Sequence, residues 1–424
     1  MARFIIQGQR QLRGTFRPAG NKNAALPMLA ACLLTDETLT LNNIPLIEDV
    51  YSMLEILRTL GVTVALRGHS LRLCAAGVRK RQLSRELCER VRSSILFAGP
   101  LAARHGRAIL YPPGGDVIGR RRLDTHFLGL QALGIEISGH ERYLFRRRQL
   151  QGANLLLDEA SVTATENILM AAVLARGPTT IFNAACEPHV QDLCLLLNKM
   201  GAQISGIGTN RLSIVGVERL HGAQHTVVAD HVEIGSLLAA AAVTQGELII
   251  EQATPELLAP ILGALRALGL RPKFQEGALH LAGHHPLRVR PDFDQAIPKI
   301  EDGPWPAFPS DLLSVAIVIG TQAQGTTLFF EKMFESRLFF VDRLISMGAR
   351  IILCDPHRVV VAGATRLRAL HMSSPDIRAG MALLIAALCA KGQSIIENAQ
   401  VIDRGYEKVD QRLRALGADI TRKK

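Results

Sequence analysis

The sequence repeats one local pattern six times. An apolar, helix-like segment ends in a hydrophobic residue and a glycine, and a short β-rich stretch follows, at Gly61, Gly134, Gly201, Gly269, Gly348 and Gly417. Successive glycines are 73, 67, 68, 79 and 69 residues apart. A second pattern, a small-residue apolar helix followed by a turn and a β-rich run, keeps the same period, as in residues 166–182. A repeat near 70 residues is longer than the common solenoid repeats and fits a βαβαββ-like unit with its own sheet.

The number of repeats predicts the domain organisation. A chain of 424 residues is too long for one ordinary hydrophobic core, and six units divide most simply into two domains of three. Hydrophobic residues make up 48% of the chain but aromatic residues only 4%, so the cores must consist mainly of Leu, Ile, Val and Ala. We therefore predict an α/β protein with two domains.

Charge and composition narrow the functional class. The net charge of +11 suits either an anionic small substrate or a nucleic acid. The basic residues are spread over all six units, without a helix-turn-helix or zinc pattern, which argues against nucleic acid. The N-terminus lacks the apolar core of a signal peptide, and apolar stretches such as residues 314–320 are far shorter than a membrane span. We therefore expect a cytoplasmic protein that does not bind membranes.

The cysteines are scattered, without a CxxC pair and mostly among apolar neighbours. This distribution is typical of reduced, buried thiols, and no Cys, His or Asp cluster has the spacing of metal ligands. No metal or cofactor is expected. The seven cysteines are Cys32, Cys74, Cys88, Cys186, Cys194, Cys354 and Cys389.

Segments that depart from the repeat indicate chemistry. In residues 19–27 (AGNKNAALP) a turn leads into an apolar helix, so Lys22 and Asn23 lie at a helix N-terminus. Free backbone N–H groups and the helix dipole favour an anion there. The alternative is that Asn23 is a plain N-cap and Lys22 a solvated turn residue.

A second departure is the Gly- and Pro-rich stretch at residues 110–126 (LYPPGGDVIGRRRLDTH). Such a composition predicts a loop, and residues 112–122 could form a mobile lid that carries Asp116 and several guanidinium groups over an anion. A solvated surface loop is the alternative.

Charged residues also stand where other units begin. Three prolines precede Asp311 in residues 304–315, where Asp311 could instead be only a helix cap. Arginines occupy four such positions, and the starts of units can converge on a cleft between domains, a common place for a ligand. The four are Arg92, Arg337, Arg378 and Arg404.

With these motifs in hand, the chain resembles the UDP-N-acetylglucosamine enolpyruvyl transferases from its N-terminus to its last helix. The most specific pieces are GNKNAALP, RSSILFAGPLAARHG, PPGGDVIGRRRLD, FPSD and IDRGYE, in this order. The resemblance implies an inside-out α/β barrel of two pseudo-threefold domains. One would comprise residues 22–229 with the lid, the other residues 1–21 and 230–424, and the active site would lie in the cleft between them.

The resemblance also implies a reaction. The enolpyruvyl group of phosphoenolpyruvate would be transferred to the 3-hydroxyl of UDP-N-acetylglucosamine with release of phosphate, the first committed step of peptidoglycan precursor synthesis. That step would link the chain to cell-wall biogenesis, cell shape and cell division. Two alternatives stay open: a catalytically silent regulator that binds a UDP-sugar, and a sibling transferase that acts on shikimate phosphate.

Roles for individual residues follow from the same resemblance. Asp116 would be the acid, Asp311 would accept the hydroxyl proton, and Lys22 and Arg404 would act on the phosphate and carboxylate of phosphoenolpyruvate. Arg121 would share that task, and Arg92 would bind the nucleotide sugar. The implied substrate-binding residues are Asn23, Arg92, Arg121, Arg122, Leu123, Asp124, Thr125, Ser161, Val162, Asp311, Met333, Arg337 and Arg378.

The chain departs from the family's usual pattern at several positions. Most members carry Cys where this chain has Asp116, and the epoxide inhibitor fosfomycin alkylates that Cys, so resistance to fosfomycin is expected. His231 stands where Arg is usual. Ser336, Cys186 and Tyr51 replace a common Asn, Arg and Asp.

Overall fold

The computed structural model describes residues 2–115, 119, 121–284 and 286–423. Within these residues the chain forms thirteen α-helices and 23 β-strands, together with four short 3-10 helices. The α-helices are α1 Lys22–Ala31, α2 Glu48–Leu60, α3 Arg85–Arg90, α4 Ala98–His105, α5 Asp124–Ala132, α6 Val162–Ala172, α7 Pro188–Lys199, α8 His231–Val243, α9 Pro255–Ala267, α10 Ser310–Gln322, α11 Val341–Ser346, α12 Ile377–Cys389 and α13 Val409–Ala415.

The strands are short, three to six residues each. They are β1 Arg3–Gln7, β2 Arg13–Phe16, β3 Thr38–Asn42, β4 Thr63–Arg67, β5 Ser70–Cys74, β6 Arg107–Leu110, β7 Ile135–Ser138, β8 Tyr143–Arg147, β9 Asn154–Leu156, β10 Pro178–Phe182, β11 Gln203–Ser205, β12 Arg211–Val215, β13 Gln224–Thr226, β14 Glu247–Ile250, β15 Lys273–Gln275, β16 Ala278–Leu281, β17 Lys299–Glu301, β18 Gly325–Phe330, β19 Ile351–Asp355, β20 Arg358–Gly363, β21 His371–Ser373, β22 Gln393–Glu397 and β23 Asp419–Lys423.

The strands form six sheets with one shared topology. In five of them a parallel edge strand pairs with the strand that follows a buried helix, and two antiparallel pairings complete the sheet. The sixth, β6-β8-β7, has three strands, and an isolated parallel bridge between Gln82 and Ile109 takes the place of the edge strand. The four-stranded orders are β13-β3-β5-β4, β9-β10-β12-β11, β2-β14-β16-β15, β17-β18-β20-β19 and β21-β22-β1-β23.

The six glycines that define the sequence repeat all end a helix in the same way. Their φ angles lie between 87° and 100°, in the left-handed region where a Cβ atom would be strained. Each glycine therefore lets the chain leave a helix and turn directly into a strand. The predicted six βαβαββ-like units are confirmed, and the last unit borrows β1 from the N-terminus, which pairs with β22 and β23.

The described residues divide into two compact units. The terminal unit comprises residues 2–19, 119, 229–284 and 286–423, and the central unit residues 20–115 and 121–228. The chain passes between them at residues 19/20 and 228/229, close to the predicted domain bounds at residues 22 and 230. That these units act as separate functional domains stays a prediction.

Each unit has helices at its centre. In the terminal unit α8, α10 and α12 pack against one another, and every residue of α8 is buried. In the central unit α6 packs against α1 and α4. These helices are predominantly apolar and mostly buried, as expected for helices that have little solvent-facing surface. The described strands form separate sheets and no closed β-barrel, so the α/β prediction holds with helices, not strands, at the centre of each unit.

No helix among the residues described above has both the length and the apolar character needed to cross a membrane.

Candidate active site

Lys22 is the first residue of α1, and its ammonium group is buried. Asn21 is the N-cap, because its side-chain oxygen accepts a 2.9 Å hydrogen bond from the backbone N–H of Ala24. Nζ of Lys22 lies 2.6 Å from Oδ2 of Asp49, the second residue of α2. The alternative of a solvated Lys22 is therefore wrong, as is the alternative that Asn23 is the N-cap. Asn23 is the second helical residue and is half-buried.

Arg92 begins a 3-10 helix, Arg92–Phe97, directly before α4. Its guanidinium donates hydrogen bonds to the backbone oxygens of Arg121 (2.8 Å) and Arg122 (3.3 Å). Burial, together with the nearby charge of Arg121, lowers the pKa of Arg92 to about 10. Arg92 thus fixes the chain directly before α5, and the guanidinium groups of Arg92 and Arg121 lie near each other. A third, that of Arg122, follows directly in the chain.

Several polar side chains surround the start of α5, for which Leu123 is the N-cap position. Nε of Arg122 lies 2.6 Å from a carboxylate oxygen of Asp124. The hydroxyl of Thr125 donates a 2.7 Å hydrogen bond to Asp158, whose other oxygen is 3.7 Å from Arg122. The carboxylates of Asp124 and Asp158 remain about half exposed. They can accept hydrogen bonds from N–H or O–H groups of a ligand.

Beneath these residues lies a buried network around His126 that sequence reasoning missed. The side-chain amide of Asn167 donates to Nδ1 of His126 at 3.1 Å, so the proton of the neutral ring is on Nε2, which faces the hydroxyl of Thr163 at 3.1 Å. Burial, assisted by the charge of Arg92, lowers the pKa of His126 to about 3. The network joins α5 to α6 and therefore fixes the position of Thr125.

Asn167 extends this network to the 3-10 helix and α4. Its side chain also accepts from the N–H of Gly99 at 2.7 Å and donates to the carbonyl of Ile95 at 3.1 Å. Ser161 is the N-cap of α6 and Val162 its first residue. Both predicted residues therefore lie at a helix N-terminus, where backbone N–H groups favour an anion or a carbonyl oxygen.

In the terminal unit, Asp311 is clamped between two arginines. Its Oδ1 accepts a 2.8 Å hydrogen bond from Arg337 and its Oδ2 a 2.7 Å hydrogen bond from Arg378. Burial alone would raise the pKa of Asp311, but the charges of Arg378 and Arg337 outweigh it and hold the pKa well below the usual range. The N-cap of α10 is Pro309. Asp311 is therefore not the helix cap that we considered as an alternative, and its carboxylate is ionised.

The start of α12 fixes the backbone of Arg378. Asp376 is the N-cap and accepts hydrogen bonds from the backbone N–H groups of Arg378 (2.7 Å) and Ala379 (2.9 Å). The Arg378 guanidinium also lies over the ring of Tyr406, 5.5 Å from its centre. The hydroxyl of Tyr406 is in turn 2.9 Å from that of Ser236 on α8. The cap of its own helix, Asp311 of α10 and the ring of Tyr406 thus hold this arginine.

Met333 belongs to a tight turn built on the carboxyl group of Glu331. One oxygen of Glu331 accepts from the N–H groups of Met333 and Phe334, each at 3.1 Å, and both oxygens face the hydroxyl of Ser310. Burial, with the neighbouring Asp302, raises the pKa of Glu331 to about 9. This turn leads the chain to Arg337. Sequence reasoning singled out neither acid.

His231, one of the departures from the usual family pattern, is the first residue of α8. Asp230 caps the helix by accepting from the N–H groups of Val232 and Glu233 at 2.8 and 3.1 Å. The His231 ring is buried and its centre lies 6.0 Å from that of Trp305. Burial lowers the pKa of His231, although Asp230 and Asp311 act in the opposite direction. His231 therefore presents a neutral ring beside the arginine clamp on Asp311.

Arg404 ends the 3-10 helix Ala399–Arg404 and is half-buried. The preceding residue, Asp403, accepts two hydrogen bonds from Arg422 at 2.6 and 2.7 Å, which fixes the backbone at this point. Asp116, the predicted acid, lies outside the described residues. Its role and the lid predicted over residues 112–122 stay predictions.

Comparison with known proteins shows which class of protein carries these residues of the central and terminal units. The family model of EPSP synthase (3-phosphoshikimate 1-carboxyvinyltransferase) matches residues 6–413. The sequence is 53% identical over 421 residues to a UDP-N-acetylglucosamine 1-carboxyvinyltransferase of Treponema pallidum, with 99% of each chain covered. It is 51% identical over 420 residues to the enzyme of that name from Bradyrhizobium diazoefficiens, and this alignment covers 99% of this chain and 97% of the relative.

The chain therefore belongs to the enolpyruvyl (1-carboxyvinyl) transferase family, within the group named UDP-N-acetylglucosamine 1-carboxyvinyltransferases, and the resemblance inferred from the sequence is confirmed. The fold agrees with this assignment. The enolpyruvyl transferase NikO of Streptomyces tendae superposes with a TM-score of 0.87 at 23% identity, covering 99% of this chain and 98% of that one. An EPSP synthase of Acinetobacter baumannii gives a TM-score of 0.77 at 18% identity over the whole of both chains.

Proposed function

We propose that this protein transfers the enolpyruvyl group of phosphoenolpyruvate to the 3-hydroxyl of UDP-N-acetylglucosamine and releases phosphate. The observation that supports this most strongly is the identity of about half of all residues, over the full length, with relatives named for that activity. In a cell that builds peptidoglycan, the reaction would supply the wall precursor on which cell shape and division depend.

The geometry of the central unit suits the anionic parts of these substrates. Lys22 is held at a helix start, and Arg92 and Arg121 lie together in front of α5. Cationic groups that are partly shielded from water stabilise phosphate and carboxylate groups more strongly than the same charges in solution. We assign Lys22, Asn23 and Arg121 to phosphoenolpyruvate, and Arg404 of the terminal unit to the same substrate.

The nucleotide sugar would contact the other residues of the central unit. Arg92 and Arg122 supply cationic donors for a diphosphate. A base would meet hydrogen-bond acceptors and donors and an apolar edge at two places. One is Asp124 with its neighbours Leu123 and Thr125, and the other is the helix start at Ser161 and Val162. In the terminal unit, Met333, Arg337 and Arg378 complete the proposed set.

The reaction needs one proton removed and one delivered. As the sugar oxygen bonds to C2 of phosphoenolpyruvate, Asp311 accepts the hydroxyl proton, and Asp116 delivers a proton to C3. Phosphate then leaves C2 with its bonding electrons as a proton is lost from C3, which restores the double bond. Because its two arginines keep Asp311 ionised, this carboxylate is available to accept a hydrogen bond from the hydroxyl.

Phosphate release tests the proposal. Purified protein mixed with both substrates should release one phosphate per enolpyruvyl group transferred, whereas either substrate alone should release none. Shikimate 3-phosphate in place of the nucleotide sugar should give no release. Binding of UDP-N-acetylglucosamine without phosphate release would instead identify a UDP-sugar-binding regulator and would refute the proposed activity.

A further inference from the structure

The ion pair between Lys22 and Asp49 is one of the most buried in the described part of the chain. Nζ and Oδ2 are 2.6 Å apart, and the two side chains are only 10% and 6% exposed. A carboxylate and an ammonium group so far removed from water each need a counter-charge. Asp49 takes no part in the proposed proton transfers.

The pair connects the starts of two helices. The cap formed by Asn21 fixes the backbone of Lys22 at the start of α1, and Asp49 is in the first turn of α2, where the helix dipole favours a negative charge. The two helices pack against each other. A lysine side chain has four rotatable bonds, and the helical backbone limits mainly the first of them. The contact with Asp49 therefore helps to direct the ammonium group at the end of the side chain.

The ion pair joins the ammonium group of Lys22 to a carboxylate that is itself fixed in the first turn of α2. We propose that Asp49 is a positioning residue, which holds the Lys22 ammonium group where the phosphate of phosphoenolpyruvate binds. This inference rests on the proposed function, and it predicts that Asp49 affects phosphoenolpyruvate far more than the nucleotide sugar.

The central test is Asp49→Asn, which keeps the shape of the side chain and a hydrogen-bond acceptor but removes the charge. We expect the KM for phosphoenolpyruvate to rise at least tenfold, with less than a twofold change in the KM for UDP-N-acetylglucosamine. A buried carboxylate that is merely structural would change both KM values alike or neither. The proposal is overturned if the KM for phosphoenolpyruvate stays within twofold of the unmodified protein.

A double-mutant cycle tests whether Asp49 acts through Lys22. If it does, Asp49→Asn should reduce kcat/KM by no more than a further twofold in protein that already carries Lys22→Ala. If the loss of kcat/KM in the double variant equals the product of the two single losses, the two residues act independently and the positioning role is refuted.

Asp410→Asn is a matched control for the loss of a buried carboxylate. Asp410 and Asp49 are both 4% exposed, and Asp410 pairs with Arg422 at 3.0 Å. Arg422 also keeps its two hydrogen bonds to Asp403, so the backbone before Arg404 should not move. We expect this variant to lose thermal stability while both KM values stay within twofold.

Equilibrium binding separates this inference from the proposed function. Phosphoenolpyruvate is titrated into protein saturated with the 3-deoxy analogue of UDP-N-acetylglucosamine, which lacks the accepting hydroxyl and therefore cannot react. The titration is done with and without Asp49→Asn, and folding of each variant is checked by circular dichroism. Weaker binding in the variant supports the positioning role even if the unmodified protein releases no phosphate, a result that would refute the proposed reaction alone. Equal binding in both proteins, or no binding in either, overturns the positioning role.

Discussion

Oδ2 of Asp311 accepts a 2.7 Å hydrogen bond from the guanidinium of Arg378. The two residues are 67 positions apart in the sequence, and each lies in the first turn of a buried helix, α10 and α12. The contact gives the terminal unit an ionised carboxylate at a fixed place, even though most of the side chain is shielded from water. It also determines how the activity should respond to pH.

The first prediction is that Arg378→Gln shifts the acidic limb of the pH–rate profile to higher pH. In the unmodified protein the pKa of Asp311 is held well below its usual range, so log(kcat/KM) should show no ionisation of this group above about pH 4, the ordinary value for Asp. Without the charge of Arg378, burial should raise the pKa of Asp311 and shift the acidic limb to higher pH. A pH–rate profile from pH 4 to 9 measures the shift.

Arg366→Gln, which removes an exposed arginine of the same unit, is the control and should leave the shape of the profile unchanged. An Arg378→Gln profile that differs only in height, with no change in shape, would contradict the proposed proton acceptance by Asp311.

The second prediction concerns the cap that places Lys22. Asn21→Ala removes the acceptor for the N–H of Ala24 and should lower the free energy of unfolding by about 1 kcal/mol, the usual cost of an N-cap. Asn23→Ala should change it by less than about 0.5 kcal/mol, because Asn23 lies inside the helix and Ala favours helices. Urea unfolding of both variants measures the difference.

Asn23→Ala, which should cost little stability, should still affect activity. If Asn23 contacts phosphoenolpyruvate, Asn23→Ala should raise the KM for that substrate with little loss of stability. A larger loss of stability for Asn23→Ala than for Asn21→Ala would show that the helix begins elsewhere.

The fold was largely predictable because its signal is local. Each of the six glycines must adopt a left-handed conformation to end its helix, and that requirement repeats at a visible period. The sharing of β1 with the last sheet was not predictable in this way, because pairing between the first and last strands leaves no local pattern. The resemblance to a known family, rather than the periodicity, suggested where the chain passes between units.

Parts of the candidate site were predictable for the same reason. Lys22 and Asp311 stand at helix starts that the sequence marks with turn residues and prolines. The pairing of Lys22 with Asp49 and of Asp311 with Arg378 could not be found, since the partners are distant in sequence and lie at the starts of other elements. A carboxylate at a helix start is most simply interpreted as a cap, and only tertiary structure distinguishes a cap from an ion pair.

The third prediction is that His126 makes stability depend on pH. The pKa of His126 is about 3 in the folded chain, against an ordinary value of 6.5, so below pH 6.5 the unfolded chain takes up a proton that the folded chain does not. The free energy of unfolding should therefore fall as pH falls from 6.5 towards 3. The contribution of one such proton is about 1.4 kcal/mol per pH unit.

His126→Gln removes this titration, although it also weakens the hydrogen bonds to Asn167 and Thr163 at every pH. Urea unfolding at pH 4, 5, 6 and 7 should show a slope reduced by about one proton in the variant. His105, whose pKa burial lowers to about 4, is present in both proteins and contributes equally. Identical slopes would show that the His126 ring takes up its proton in the folded state as readily as in the unfolded chain.

The last prediction concerns Asp116 and follows from chemistry alone. Fosfomycin inactivates by alkylation, which requires a soft thiolate, and a carboxylate is a far poorer nucleophile towards an epoxide. Turnover should therefore continue unchanged in the presence of fosfomycin. Asp116→Cys should become inactivated with time and gain one covalent adduct by mass spectrometry, because the variant provides the thiolate. Asp116→Ala should lose most activity but still bind UDP-N-acetylglucosamine, since the proposed acid would be missing while the binding residues remain. Covalent inactivation of the unmodified protein at residues 112–122, or near-full activity of Asp116→Ala, would contradict the proposal that Asp116 is the acid.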